Sequence, residues 1–199
     1  MIATRHDAAI ATAAVAVAVG VAFAGSSRAE PADPAKQTRE HPRGAVENCS
    51  GVSGFGAGRR DFKLRRNLVV GPLALLRAGR TFAYADSPDG IFNKLFVVVR
   101  GGHRVTLELS GRTRRGAGLG FGFEEGHGDV RFRDMRRVVT FVACRRGESM
   151  DIYADTWPVS GWVGFLMARS PRCIPLFVWV DDEPSPRRAV VRFGVRDCG

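Results

Sequence analysis

The chain lacks the short motifs from which several enzyme classes are read. A serine-hydrolase elbow needs G-x-S-x-G at a strand-to-helix turn. The nearest stretches, Ser50 to Gly54 and Val159 to Gly161, miss that spacing and read as turns. Neither G-x-G-x-x-G nor G-x-x-x-x-G-K occurs, so no phosphate-cradling loop of known pattern is present. The four cysteines include no C-x-x-C pair, which removes the usual spacing of a zinc knuckle or a thioredoxin-type redox site. There is no internal repeat and no convincing amphipathic helix. Lysine is scarce, at 3 of the 30 basic residues. A nucleic-acid groove usually mixes Lys with Arg, because Lys serves well as a simple phosphate charge. The lopsided arginine usage reads first as the codon bias of a GC-rich genome, and second as selection for an anionic partner.

Apolar residues make up 45% of the 199, enough for a proper core. Formal net charge is +10. One uncharged run stands apart, Ala8 to Ala24, rich in Ala and Val and preceded by a short polar start containing Arg5. It ends in Ala22-Phe23-Ala24, a small-x-small pattern that predicts a signal peptide over 1–24, cut before Gly25. The rival is an uncleaved anchor, for which 17 mostly Ala residues are short against a span of about 20. Either reading puts the domain outside the cytoplasm, and membrane contact is expected only through this segment. Residues 25–44 are polar and broken by Pro31, Pro34 and Pro42, a disordered linker by composition.

The domain expected over 45–199 holds all four cysteines, Cys49, Cys144, Cys173 and Cys198, an even number suited to disulfides. Three pairings are possible. Cys49 and Cys198 bracket the domain, while Cys144 and Cys173 each adjoin an apolar strand, so Cys49–Cys198 and Cys144–Cys173 are expected.

Short β-rich runs recur between Gly, Pro, Asp and Ser clusters: Phe62 to Val70, Leu95 to Val99, Val105 to Leu109, Val130 to Phe132, Val138 to Ala143, Trp162 to Met167, Ile174 to Val180 and Ala189 to Val195. Their spacing predicts an all-β fold, an antiparallel β-sandwich of jelly-roll or immunoglobulin-like type. Gly71 to Arg80 is compatible with one short helix, against its glycines and proline. In Val105 to Leu109 the odd positions share an apolar face, and Thr106 and Glu108 are expected to face solvent. Leu95 to Val99 and Phe177 to Val180 are apolar on both sides, as central or covered strands are. Gly116 to Phe123 alternates glycine with apolar residues; a strand there has one bare face, for tight packing or a flat ligand platform.

Three groups of side chains are candidates for chemistry. Glu124, Glu125, His127 and Asp129, with His103 as a further candidate neighbour, offer oxygen and nitrogen ligands or an acid–base pair, although the composition is also that of an ordinary hairpin loop. Arg131, Arg133, Arg136 and Arg137 form the densest basic group, and Arg131 and Arg133 would share a face of a strand. Arg112, Arg114 and Arg115, and Arg145 with Arg146, form others. Such a face suits an anionic envelope polymer or lipid headgroups through salt-sensitive contacts. Nucleic acid is not expected, because no aromatic-plus-basic reading motif accompanies the charge. Trp157 sits in a loop and can stack on a sugar or partner. Trp162 and Trp179 lie within apolar runs and are expected in the core beside the Cys144 bridge.

The order Val138-Val-Thr-Phe-Val-Ala-Cys144, Gly161-Trp-Val-Gly-Phe-Leu166, Arg172-Cys-Ile-Pro-Leu176 and Val191-Arg-Phe-Gly194 with Cys198 resembles a group of small uncharacterised secreted or membrane-anchored actinobacterial proteins. The likeness covers roughly residues 94 to 199. It implies export and a cysteine-stapled β fold, and brings no activity, cofactor or binding residue with it. The leading expectation is therefore a non-enzymatic exported domain, without cofactor, that binds an anionic envelope component or an envelope protein through its arginines. The alternatives are an enzyme or metal-binding protein using Glu124, His127 and Asp129, and an accessory subunit of an envelope assembly.

Overall fold

The computed structural model describes residues 42–51, 57–79, 85–87, 89–122, 131–148 and 159–199, all within the compact unit Thr38–Gly199. The segment 1–24 expected as a signal peptide, most of the linker, the Glu124–Asp129 loop and Trp157 lie outside the described residues. No helix among the described residues is long and apolar enough to cross a membrane.

The described chain is all-β, with two sheets packed together. One sheet contains β1 (Ala45–Glu47), β6 (Arg104–Leu109), β8 (Val138–Val142), β10 (Arg172–Val180) and β11 (Arg187–Phe193), in the order β1-β8-β6-β10-β11. The other contains β2 (Leu68–Val70), β3 (Leu73–Leu75), β5 (Gly90–Arg100), β7 (Ala117–Gly120) and β9 (Val159–Ala168), in the order β2-β3-β5-β9-β7, with β4 (Ala85–Ser87) also paired to β5. All these pairings are antiparallel except one: β1 runs parallel to β8, with Ala45 opposite Val139. The β5–β9 ladder is the longest, from Ile91 opposite Ala168 to Arg100 opposite Val159.

Alternation along the strands makes the main core. Leu95, Val97, Val99, Trp162 and Leu166 from one sheet meet Leu107, Phe141, Ile174, Leu176 and Val191 from the other, all essentially without solvent contact. Phe141 packs edge-on to Phe121 at 4.9 Å and tilted to Trp162 at 5.2 Å, contacts that add to the burial of the rings. The doubly apolar runs lie as expected, β5 between β3 and β9, and β10 between β6 and β11.

Several expectations are corrected. Thr106 and Glu108, the polar face of β6, are only 4% and 2% exposed. Alternation reports which side of a strand is polar, and that side is here closed off. Thr106 hydrogen-bonds Thr140 at 2.8 Å. The Glu108 carboxylate accepts from the Trp179 indole at 3.1 Å and pairs with the Arg114 guanidinium, which satisfies a buried charge that would otherwise be costly. Trp179 thus belongs to the outer face of its sheet, not to the main core. The described part of the segment Gly71 to Arg80, residues 71–79, is no helix. Gly71, at φ +58°, and Pro72 make the turn of the β2–β3 hairpin, and Leu73 to Leu75 are fully buried.

Two expected strands contain short 3-10 turns instead. Over Arg59–Lys63, Asp61 accepts the Gly58 N–H at 2.8 Å and donates its own N–H back to the Gly58 carbonyl at 3.0 Å. Over Phe132–Asp134, Asp134 holds Arg131 in the same way, at 3.2 and 2.9 Å. A carboxylate three residues along competes with extension by closing the turn locally.

The disulfides are Cys49–Cys144 and Cys173–Cys198, not the expected Cys49–Cys198 and Cys144–Cys173. The parallel register sets Glu47 opposite Phe141, so two or three more residues on each chain bring Cys49 and Cys144 to a Cα separation of 4.8 Å. Cys173 opens β10 beside the end of β11, and the chain after β11 returns Cys198 to a Cα separation of 5.6 Å. The two pairs lie at opposite ends of the strands, more than about 20 Å apart at roughly 3.3 Å per residue, which rules out the other pairings. Both bridges suit an oxidising environment. Trp162 does lie beside one of them, donating Nε1 to the carbonyl of Asn48 at 3.2 Å. The glycine run serves close packing: a Cβ on Gly118 would collide with Met135, and one on Gly116 with Arg172.

Candidate functional site

The two 3-10 turns lie over the outer face of the β5–β9 sheet, one at each end, and each drives a phenylalanine into a small apolar cluster there. At the end where β5 finishes and β9 begins, Phe62 packs with Ala57 and Leu76 on Ala74, Val98 and Val159. At the other end, Phe132 and Met135 pack on Met167 and Phe92. Arginines cover both rings. Each surface sets cationic side chains beside a concavity.

The Phe132 surface contains three of the four arginines singled out in sequence. The Arg169 and Arg137 guanidinium carbons lie 4.6 and 5.3 Å from the Phe132 centroid. Beside them is a cleft of about 350 Å³ lined by Asp89, Arg131, Phe132, Arg133 and Arg169. The 3-10 turn replaces the shared strand face expected for Arg131 and Arg133 but still leaves both exposed on the cleft. Arg136 goes elsewhere. In the extended stretch 135–137 successive side chains alternate, so Met135 and Arg137 cover Gly118 while Arg136 points the other way, toward the charge of Glu47. Burial raises the pKa of Glu47, and Arg136 only partly offsets this.

Much of the positive charge at this end also holds the fold. Arg137 donates to the Ala117 carbonyl, and its pKa is lowered by burial first and then by Arg169 and Arg114. Arg114 serves Glu108 and the Leu109 carbonyl. Asp89 accepts the Phe132 N–H at 3.3 Å, and Asp134 lies 3.8 Å from Arg133.

The Phe62 surface was not singled out in sequence. A cavity of about 410 Å³ is lined by Arg59, Phe62, Lys63, Arg100, Gly101, His103 and Val159. Arg100 lies 4.7 Å over the Phe62 ring. His103 comes from the β5–β6 turn, and its Nδ1 is 2.8 Å from Asp181. Burial tends to raise the Asp181 pKa. The Arg104 backbone N–H, the His103 hydrogen bond and the charges of His103 and Arg104 outweigh it, holding this carboxyl below its usual range. His103 is thereby tied to Asp181, at the β10–β11 turn. Arg59-Arg60-Asp61-Phe62-Lys63 reads in sequence as the entry to a strand, which hides Arg59 and Lys63 as site residues; Asp61 three residues after Gly58 is the available signal of a turn. Arg169 left no signal, since only strand pairing brings the β9–β10 turn to Phe132.

Among the described residues, no three or more His, Cys, Asp or Glu side chains are grouped as metal ligands. Comparison of the chain with family models, with characterised proteins and with solved structures finds no match.

Proposed function

We propose that this protein is a non-enzymatic domain working outside the cytoplasm, exported by its N-terminal segment as the actinobacterial likeness suggests, and binding an anionic cell-envelope polymer. The observation that carries the reading is the Phe132 surface: one ring with Arg137 and Arg169 against it, and Arg131 and Arg133 exposed on the adjoining cleft. Guanidinium groups braced on an aromatic face keep their forked donors oriented, so less freedom is lost when they meet carboxylate or phosphodiester oxygens along a chain. The shallow cleft suits a polymer lying across it. The two disulfides support the location, since such bridges persist where thiols oxidise.

The test is retention of the purified chain on cell-wall sacculi that carry their anionic polymers. Binding at low salt with release at about 0.2–0.3 M is expected, because exposed charges are screened once the Debye length falls below about 10 Å. An Arg131→Ala/Arg133→Ala variant should elute at distinctly lower salt. A wild-type chain that flows through at low ionic strength would end the proposal.

A further inference from the structure

The cavity at the Phe62 end differs from the polymer cleft in shape and in charge. Its described lining has three fixed cations, Arg59, Lys63 and Arg100, together with the imidazole of His103, and among the described residues no carboxylate. Among the described residues, neither Arg59 nor Lys63 is engaged by a hydrogen bond or an ion pair. The four groups come from three places: the 3-10 turn supplies Arg59 and Lys63, the end of β5 supplies Arg100, and the following turn supplies His103. We propose that this cavity is a binding site for a small phosphorylated molecule, with the phosphoryl group held by Arg59, Lys63, Arg100 and His103.

The chemistry favours a phosphate monoester over a carboxylate. One arginine fork satisfies a planar carboxylate, whereas donors arriving from several directions match the tetrahedrally disposed oxygens of a phosphate. A volume of about 410 Å³ lies within the range of small-ligand sites and exceeds what a bare phosphate fills. Val159, 3% exposed, and Phe62 supply apolar surface for the body of the ligand.

The frame is stiff. Asp61 closes the turn, Asn67 donates to the Asp61 carbonyl at 2.8 Å, and Asp181 holds His103 by Nδ1, leaving Nε2 as its other hydrogen-bonding nitrogen. Cys144 ties the walls together. Its carbonyl accepts the Gly102 N–H at 3.0 Å, and its N–H donates to Ser160 at 2.9 Å. The Cys49–Cys144 bridge therefore anchors both strands that border the cavity. Preorganised donors of this kind lose little on binding.

Titration calorimetry of the full chain with glycerol 3-phosphate, inorganic phosphate, acetate and glycerol tests the site. Glycerol 3-phosphate should bind best, inorganic phosphate next, acetate at least about tenfold more weakly and glycerol not at all, since each charge-assisted hydrogen bond lost corresponds to roughly a tenfold change. Arg59→Gln/Lys63→Gln, two exposed changes, should weaken glycerol 3-phosphate binding by about tenfold or more, with the melting temperature unchanged. The Arg131→Ala/Arg133→Ala variant should bind it like the wild type, which separates this site from the polymer surface. Equal binding of acetate and phosphate overturns the proposal, as does wild-type affinity in the Arg59/Lys63 variant. Loss of binding in the Arg131/Arg133 variant instead overturns it by moving the site to the other end.

Discussion

The two ends of the β5–β9 sheet solve one local problem twice and then diverge. Each has a 3-10 turn closed by an aspartate, a phenylalanine seated on the outer face of the sheet, and arginine laid on the ring. At the Phe132 end two arginines are drawn inward, Arg137 to a backbone carbonyl and Arg114 to a buried glutamate, while Arg131 and Arg133 stay exposed with Asp89 and Asp134 nearby. At the Phe62 end the cations surround a cavity and, among the described residues, meet no lining carboxylate. Similar residue types thus divide between fastening and exposed charge in one place and serve as available charge in the other. What separates them is whether carbonyls and carboxylates lie within reach.

Removing the disulfides sharpens this contrast most. In the loop-entropy model a bridge across a separation of 95 residues is worth about 4.7 kcal/mol. One across 25 residues is worth about 3.5 kcal/mol. Urea unfolding of Cys49→Ser/Cys144→Ser should show the larger loss, and only this variant should loosen the Phe62 cavity, read as faster amide exchange at Gly102 and Cys144. An equal loss of protection there on removing Cys173–Cys198 would mean the ends are not independent.

Next in size is the contrast between the rings. Phe132 is 6% exposed, so Phe132→Ala should cost about 3 kcal/mol, near the lower end for a large buried ring. Phe62 is only half-buried, and Phe62→Ala should cost less. Arg114→Ala should fall between disulfide loss and a surface change, about 2–3 kcal/mol, because it leaves Glu108 buried without its guanidinium. Denaturation midpoints check all three; a Phe62→Ala loss exceeding that of Phe132→Ala would reverse the proposed order.

The smallest effect is a pH dependence. The Asp181 carboxyl is held below its unfolded value, so its stabilising contribution is complete above the ordinary carboxylate range and lost as pH falls through the folded value. Glu47 has the opposite sign. Burial raises it, so the stability it confers is complete below its unfolded value and lost as pH rises through the folded one. Asp181→Asn should therefore reduce the acid-induced fall in melting temperature, while Glu47→Gln should slightly raise the melting temperature at neutral pH.

Much of the architecture was readable because periodicity reports directly on packing. The runs at Leu95, Val105, Val138, Trp162, Ile174 and Ala189 all became strands, and the doubly apolar ones became central. The failures share a cause as well. Asp61 and Asp134 each closed a turn within a segment whose composition favoured extension. Glu108 stood where alternation demands a polar residue, yet exposure there depends on what covers the sheet. Of the candidate site, Arg131, Arg133 and Arg137 were visible as a cluster. Arg169, Arg100 and His103 were scattered through the chain and became neighbours of their rings only by strand pairing.

The amino-acid order alone determined that the domain is all-β, which strand runs supply most of its core, and that its cysteines number enough for two bridges. Those properties follow from local alternation, composition and count. The partners were decided by the tertiary structure: Cys49 with Cys144 through a parallel register, Glu108 with Arg114 and Trp179 on a covered face, and two sets of cations gathered on separate phenylalanines. Pairing between distant segments depends on which strands lie side by side, and no property of a single segment encodes that.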